Sequence, residues 1–291
     1  MFSHGCLSIK SLIVAIVALI ALTGFLVSPA EGTSAFEERV VTDDEKVMIE
    51  LYYESQCPGC RDMVTNSFSK AFQTEGFLDM AEVEFVPYGN AKETETTSGS
   101  YQFECQHGYS ECVYNIIEAC ALAKIEDPLV AFQYIDCIER SDESRDPQQD
   151  YYQVAITCCK LAKLSDATIK AMEGCATGSE GTQLEHEAAV KTDALDPPHQ
   201  YVPYVVVNGV HDDETQNAIT DSLFDYVCDA YLGPNKSPAC PGTKTTATPA
   251  LRAGTVASER FLTDDNKMCY KKDNWSAKFA SGVDAVILEK E

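Results

Sequence analysis

Hydrophobic and polar positions alternate in blocks along residues 46–240. From Val47 to Tyr53 the residues are apolar or aromatic with β-branched members, which predicts a short buried strand. Cys57-Pro58-Gly59-Cys60 follows at once, and then Met63, Val64, Phe68, Ala71 and Phe72 recur at spacings of three and four. That period predicts an amphipathic helix ending near Gly76, with the two cysteines at its start. A second strand is expected over Val83–Tyr88, closed by a turn at Gly89-Asn90, and the polar run Lys92–Ser100 reads as a surface loop.

The stretch from Cys105 to about Met172 is cysteine-rich and carries Ile116, Ile117, Leu122, Phe132 and Ile135 at helical spacing, broken at Pro128 and Pro147. It reads as a helical insertion stapled by disulfides. A further helix is expected over Thr182–Ala194. Pro197, Pro198 and Pro203 then force an extended path into Tyr204-Val205-Val206-Val207, expected as a central strand. Asn208-Gly209 is a two-residue hairpin signal, and Ile219, Leu223, Phe224 and Val227 mark a last helix from about Thr215 to Tyr231.

The two ends differ from this body. Lys10, the apolar run Leu12–Val27 and the small residues Ser28 and Ala30 have the layout of a secretory signal peptide over 1–30, shorter than the ~20 apolar residues of a spanning helix. A linker over 31–45 would lead into a single domain over 46–240, with the insertion at about 101–180. Residues 241–291 are Thr-, Ala- and Pro-rich with weak periodicity and read as a linker or removable tail. No stable membrane span is expected once the leader is removed.

Of the 291 residues, 13 are cysteine, a number that suits an oxidising or lumenal compartment and disulfide staples. Cys6 falls in the expected leader, and the redox pair would leave ten for bridges or partners. The formal charge of −24 argues against nucleic acid as a partner, since no Lys/Arg cluster offers a local exception. The acidic excess belongs to the body, which suits an acidic organelle. In the tail Asn274-Trp275-Ser276 is a glycosylation sequon, and Cys269 is free to pair with a body cysteine or to bridge two chains as a disulfide-linked dimer.

A cysteine at a helix N-terminus faces unpaired N–H groups and the positive end of the helix dipole, which favour its thiolate. Cys57 is therefore the candidate nucleophile. The two-residue spacer turns Cys60 inward within one helical turn, where it can resolve a mixed disulfide. Pro58 and Gly59 shape helix entry. The same four residues could instead form an inert bridge or half of a zinc site, but the order strand, CxxC, helix is typical of thioredoxin-like redox motifs. Val202-Pro203 before the apolar run fits the cis-proline that such folds set beside the cysteines, where the backbone of the preceding residue pairs with a substrate chain. No metal is expected.

Cys105, Gln106, His107, Gly108, Glu111, Cys112, Asn115 and Cys120 match every fixed position of C-Q-H-G-x2-E-C-x2-N-x4-C. This resembles the signature of the gamma-interferon-inducible lysosomal thiol reductase (GILT) family. Pro197-Pro198-His199-Gln200-Tyr201-Val202-Pro203, Val207-Asn208-Gly209 and Cys228 with Tyr231, Gly233 and Cys240 also resemble it. The resemblance implies an α/β, thioredoxin-like fold with a disulfide-stapled helical insertion. It also implies reduction of protein disulfides in an endosomal or lysosomal lumen without a bound cofactor, with Cys57 and Cys60 as the redox pair and a small thiol or dithiol as donor. An oxidase or isomerase of the secretory pathway uses the same two cysteines, and a disulfide-stapled secreted binding module is the alternative outside enzymology. His107 is expected to be structural, as are the bridges from Cys105, Cys112 and Cys120. Glu54 is expected to be solvated.

Overall fold

The computed structural model describes residues 46–141, 151–242 and 268–271. The expected leader, the linker over 31–45 and the sequon at Asn274 lie outside them. Strand β1 (Val47–Tyr53) is buried along most of its length and pairs on both edges. Helix α1 begins at Pro58–Asp62, passes through a π-helical turn at Met63–Phe68 and ends in Ser69–Phe72. A short helix α2 (Phe77–Met80) leads into β2 (Ala81–Pro87), which lies parallel to β1 with Val47 opposite Ala81 and Tyr53 opposite Pro87. Gly76, at φ +80°, is the left-handed residue that starts α2.

The segment expected as a loop after β2 is a hairpin of β3 (Lys92–Glu95) and β4 (Tyr101–Glu104). Its charged residues mask the period-two pattern, while Phe103 turns its ring onto Tyr88, 6.4 Å between centroids. The cysteine-rich segment that follows is helical: α3 (Tyr109–Lys124), α4 (Pro128–Ser141), α5 (Tyr151–Leu161) and α6 (Asp166–Ala176). Disulfides Cys105–Cys112, Cys120–Cys175 and Cys137–Cys158 staple it. These helices build their own core from Val113, Ile117, Tyr134, Ile138 and Met172. Phe132 and Ile135 of α4 reach across to the sheet, where Phe132 stacks on Phe72 at 4.0 Å.

Helix α7 (Ser179–Asp193) returns the chain to β5 (Tyr201–Val202) and β6 (Tyr204–Val207). The Val202–Pro203 bond is cis, as expected, and so is Asp196–Pro197. The expectation of a central β6 is corrected: among the described residues the sheet order is β2-β1-β6, so β1 is central and β6, antiparallel to it, forms an edge. Burial of all four residues of β6 comes from covering of its faces, which composition reports, whereas sheet position is set by pairing, which it does not. Asn208 and Gly209 do form a tight turn, with φ of +50° and +81°, and Val207 and Val210 bond across it in both directions. The chain then enters α8 (Asp213–Ala230) rather than a partner strand, capped by Asp212 accepting from Thr215 N. Ile219, Leu223 and Val227 of α8 close the sheet core, and Cys228–Cys240 fixes the following loop. A last strand, β7 (Cys269–Tyr270), pairs antiparallel with β5.

Candidate active site

Glu54, Ser55 and Gln56 form the turn between β1 and α1, with Gln56 in the left-handed region at φ +68°. Cys57 follows as the N-cap of α1, Pro58 opens the helix, and Arg61 N donates to Cys57 O at 3.0 Å to close the first turn. The expected placement of both cysteines at a helix start is therefore present. Cys57 Sγ also lies 3.7 Å from the Val202 carbonyl oxygen, so the motif and the residue before the cis-proline meet in space.

Cys57 and Cys60 are not bonded to each other. Cys57 is joined to Cys269 of the tail, 212 residues away, and Cys60 is a buried free thiol. The cysteine that could have bridged two chains is thus engaged within its own. Burial, followed by the neighbouring Glu54 carboxyl, pushes the Cys60 thiol well above its ordinary pKa. The second free cysteine, Cys159, is in the insertion and remote in sequence from the motif.

The signature folds over the turn that carries Cys57. Gly108, at φ +98°, is the N-cap of α3 and aims the first turn of that helix at residues 54–56. Asn115 Oδ1 accepts from both Ser55 N (2.9 Å) and Ser55 Oγ (2.8 Å), and Ser110 Oγ donates to Gln56 Oε1 at 2.9 Å. Glu111 is fully buried; its carboxylate accepts from Gln106 N at 3.0 Å and His107 N at 2.7 Å and meets His107 Nδ1 at 2.5 Å. Burial raises the Glu111 pKa to about 8 against the lowering effect of the two backbone donors. Cys105–Cys112 closes this turn of the signature, while Cys120 is bonded to Cys175 beside Ile116 in a separate small cluster.

Glu54 is buried rather than solvated. Its Oε2 accepts from Asn90 N at 2.7 Å, and its Oε1 lies 3.6 Å from His107 Nδ1. Burial, then the neighbouring Glu111, raises its pKa well above the ordinary value. Gly89 makes the approach possible, since a Cβ there would come within 2.6 Å of the Glu54 side chain. The tail cysteine completes the cluster: Cys269 Sγ is 3.7 Å from His107 Nε2, and Cys269 O accepts from Asn90 Nδ2 at 2.7 Å. Glu54, His107 and Cys269 bring ligand-type atoms within 4.8 Å of one another, but a sulfur spent in a disulfide is not a thiolate donor.

Residues 48–177 match the family model described as gamma interferon inducible lysosomal thiol reductase (GILT). A goldfish (Carassius auratus) gamma-interferon-inducible lysosomal thiol reductase is 40% identical over 194 residues, 67% of this chain and 72% of that one. The mouse (Mus musculus) protein of the same name is 37% identical over 194 residues, 67% and 71% of the two chains. An Arabidopsis thaliana gamma-interferon-responsive lysosomal thiol protein is 34% identical over 194 residues, covering 66% and 74%. The chain belongs to the GILT family.

Within this GILT protein the signature residues divide by task. Asn115 and Ser110 hold the turn before Cys57, Glu111 holds the 106–107 backbone, and His107, expected to be structural, faces the sulfur bonded to Cys57. Sequence reasoning missed Asn90 and the burial of Glu54. The Gly89-Asn90 turn was the one available signal for Asn90, and a glutamate at the end of an apolar strand gives none for its own burial.

Proposed function

We propose that this GILT protein reduces disulfide bonds of protein substrates by thiol–disulfide exchange, with Cys57 as nucleophile and Cys60 as resolving thiol. The observation that carries this is the seat of Cys57: N-cap of a helix, 3.7 Å from the Val202 carbonyl oxygen, its sulfur in a disulfide with Cys269. The fold is read as thioredoxin-like with a helical insertion. The lysosomal names of the relatives and the acidic body support an acidic endosomal or lysosomal lumen. Among the described residues no helix is long and apolar enough to cross a membrane.

The Cys57 thiolate, favoured by the helix N-terminus, attacks one sulfur of the substrate disulfide and expels the other as a thiolate. A mixed disulfide results, with the substrate backbone paired to Tyr201–Val202 and packed along Pro58, Gly59 and Pro203. Cys60 gives up its proton and attacks Cys57 Sγ; the Cys57–Cys60 bond forms and the second substrate sulfur leaves. His107 delivers the proton to that sulfur. The geometry supporting this role is its Nε2, 3.7 Å from the sulfur bonded to Cys57, with Nδ1 held by Glu111. Two electrons pass from the protein dithiol to the substrate, and a small thiol or dithiol donor restores the Cys57 and Cys60 thiols. Reduction of a denatured disulfide-bonded protein with a small dithiol as donor tests the proposal: turnover is expected in the wild type and none in Cys57→Ser. Equal turnover in both would overturn it.

A further inference from the structure

The strand bonded to Cys57 is a piece of this chain, and the contacts described for it are ones an incoming peptide could make. Val202 faces Cys269 and Tyr201 faces Tyr270 in an antiparallel pair, and Lys271 N donates to Gln200 O at 2.8 Å. On the other side Asn90 Nδ2 donates to Cys269 O at 2.7 Å, and Gln106 Nε2 donates to Tyr270 O at 3.2 Å. Tyr270 sets its ring 6.0 Å from that of Tyr201, and Met268 is buried. The ladder and all three of these hydrogen bonds use main-chain atoms of the tail. Recognition through the backbone of an extended strand tolerates many side chains, as a cleft for varied protein substrates requires.

We propose that Met268–Lys271 is a tethered pseudo-substrate, which fills the cleft for the half-cystine strand of a substrate and keeps Cys57 closed until Cys60 displaces it. The inference rests on Cys57 being the attacking cysteine. It assigns Asn90 and Gln106 as the clamp opposite Gln200–Val202, and it assigns the cleft an extended peptide with an apolar residue just before its half-cystine. A tethered strand competes without dilution, so substrate meets a closed site.

Opening is an exchange within the chain. The Cys60 thiol loses its proton, its sulfur attacks Cys57 Sγ, the Cys57–Cys60 bond forms and the Cys57–Cys269 bond breaks. Cys269 leaves as a thiolate and takes up a proton through His107 Nε2. No external oxidant or reductant is consumed in this step; the donor dithiol is needed afterwards, to reduce Cys57–Cys60 and start turnover. Burial and the neighbouring Glu54 disfavour loss of the Cys60 proton, so the exchange is reversible in favour of the closed form until the donor dithiol reduces Cys57–Cys60 and traps the open one. Proteolysis between the body and Met268 would not suffice, because the peptide would stay bonded to Cys57.

The test uses the full chain secreted into an oxidising medium, alkylated without reductant, digested and mapped by mass spectrometry. The Cys57 and Cys269 peptides are expected joined. In the reductase assay the wild type should show a lag that shortens as the donor dithiol is raised. Cys269→Ser should start without it, several-fold faster over the first minutes, and reach the same final rate. Cys57 found bonded to Cys60 in the untreated wild type, a reading that needs no variant, would overturn the tail assignment, as would identical time courses. A Cys57–Cys269 cross-link with neither protein active would overturn the reductase reading and the pseudo-substrate with it. A missing cross-link with both proteins active would overturn the tail assignment alone.

Discussion

Replacing Asn115 by leucine removes one acceptor and leaves two buried donors behind. Ser55 is almost fully buried, and both its backbone N–H (2.9 Å) and its hydroxyl (2.8 Å) end on the same Asn115 oxygen. Leucine keeps the branched four-atom skeleton of asparagine; the two orphaned donors cost about 1–3 kcal/mol each, or roughly 2–6 kcal/mol together, and crowding by its bulkier methyl groups adds a cost common to both backgrounds of the cycle below. Ser55→Ala removes the hydroxyl donor, so Asn115→Leu should cost less in that background, with a coupling of about 1–3 kcal/mol. Urea unfolding of the four proteins with disulfides intact measures the cycle. Because Ser55 lies two residues before Cys57, the single Asn115→Leu protein should also lose reductase activity before it loses its fold. A cost below about 1 kcal/mol for Asn115→Leu, or additive effects in the double variant, would refute the claim that this signature residue anchors the turn.

Two further outcomes follow from the buried charges. Burial raises the pKa values of Glu54, Glu111 and Glu185, so each holds its proton more firmly folded than unfolded. Their stabilising contribution is complete below the ordinary glutamate pKa and is lost as pH rises toward the raised values, at about 1.4 kcal/mol per pH unit for each group still protonated. His199, lowered to about 4 by burial, acts in the opposite sense between its lowered and ordinary pKa values. The three acids outnumber it, so the melting temperature should be higher at pH 5 than at pH 7.5; a lower one at pH 5 would contradict this balance. His107→Phe should lower kcat on the order of 10²-fold for a protein disulfide with little change in KM. That loss should shrink for an aromatic disulfide, whose low-pKa leaving thiolate needs no proton; an equal loss for both substrates would assign His107 to structure alone.

The elements around the CxxC motif were legible because local sequence dictates them. An apolar run, a CxxC and a 3.6-residue period define strand, turn and helix within some twenty-five residues, and the proline before β6 reports its own backbone. The helices of the cysteine-rich segment were legible from apolar spacing. Three features needed the tertiary structure. The β3–β4 hairpin hides its alternation under glutamate and lysine, and shows it only through Phe103 against Tyr88. The edge position of β6 depends on which strands pair, not on what they contain. The cluster of Glu54, Asn90, His107 and Cys269 unites four segments far apart in sequence, so no spacing rule connects them. Reading Glu54 as solvated followed the usual behaviour of an isolated glutamate, which burial beside Gly89 and Asn90 overrides.

The division of labour between Cys57 and Cys60 is open to one direct measurement. Cys60→Ser and Cys57→Ser proteins, each also carrying Cys269→Ser so that the tail thiol neither resolves nor forms an adduct, are reduced and freed of dithiol, incubated with a denatured disulfide-bonded protein, quenched with an alkylating reagent and resolved without reductant. With the resolving thiol gone, Cys60→Ser should accumulate substrate bonded to Cys57, identified by mass spectrometry, while Cys57→Ser should accumulate none. Equal adducts on both proteins, or adducts on Cys57→Ser alone, would contradict the assignment of Cys57 as the sulfur that attacks.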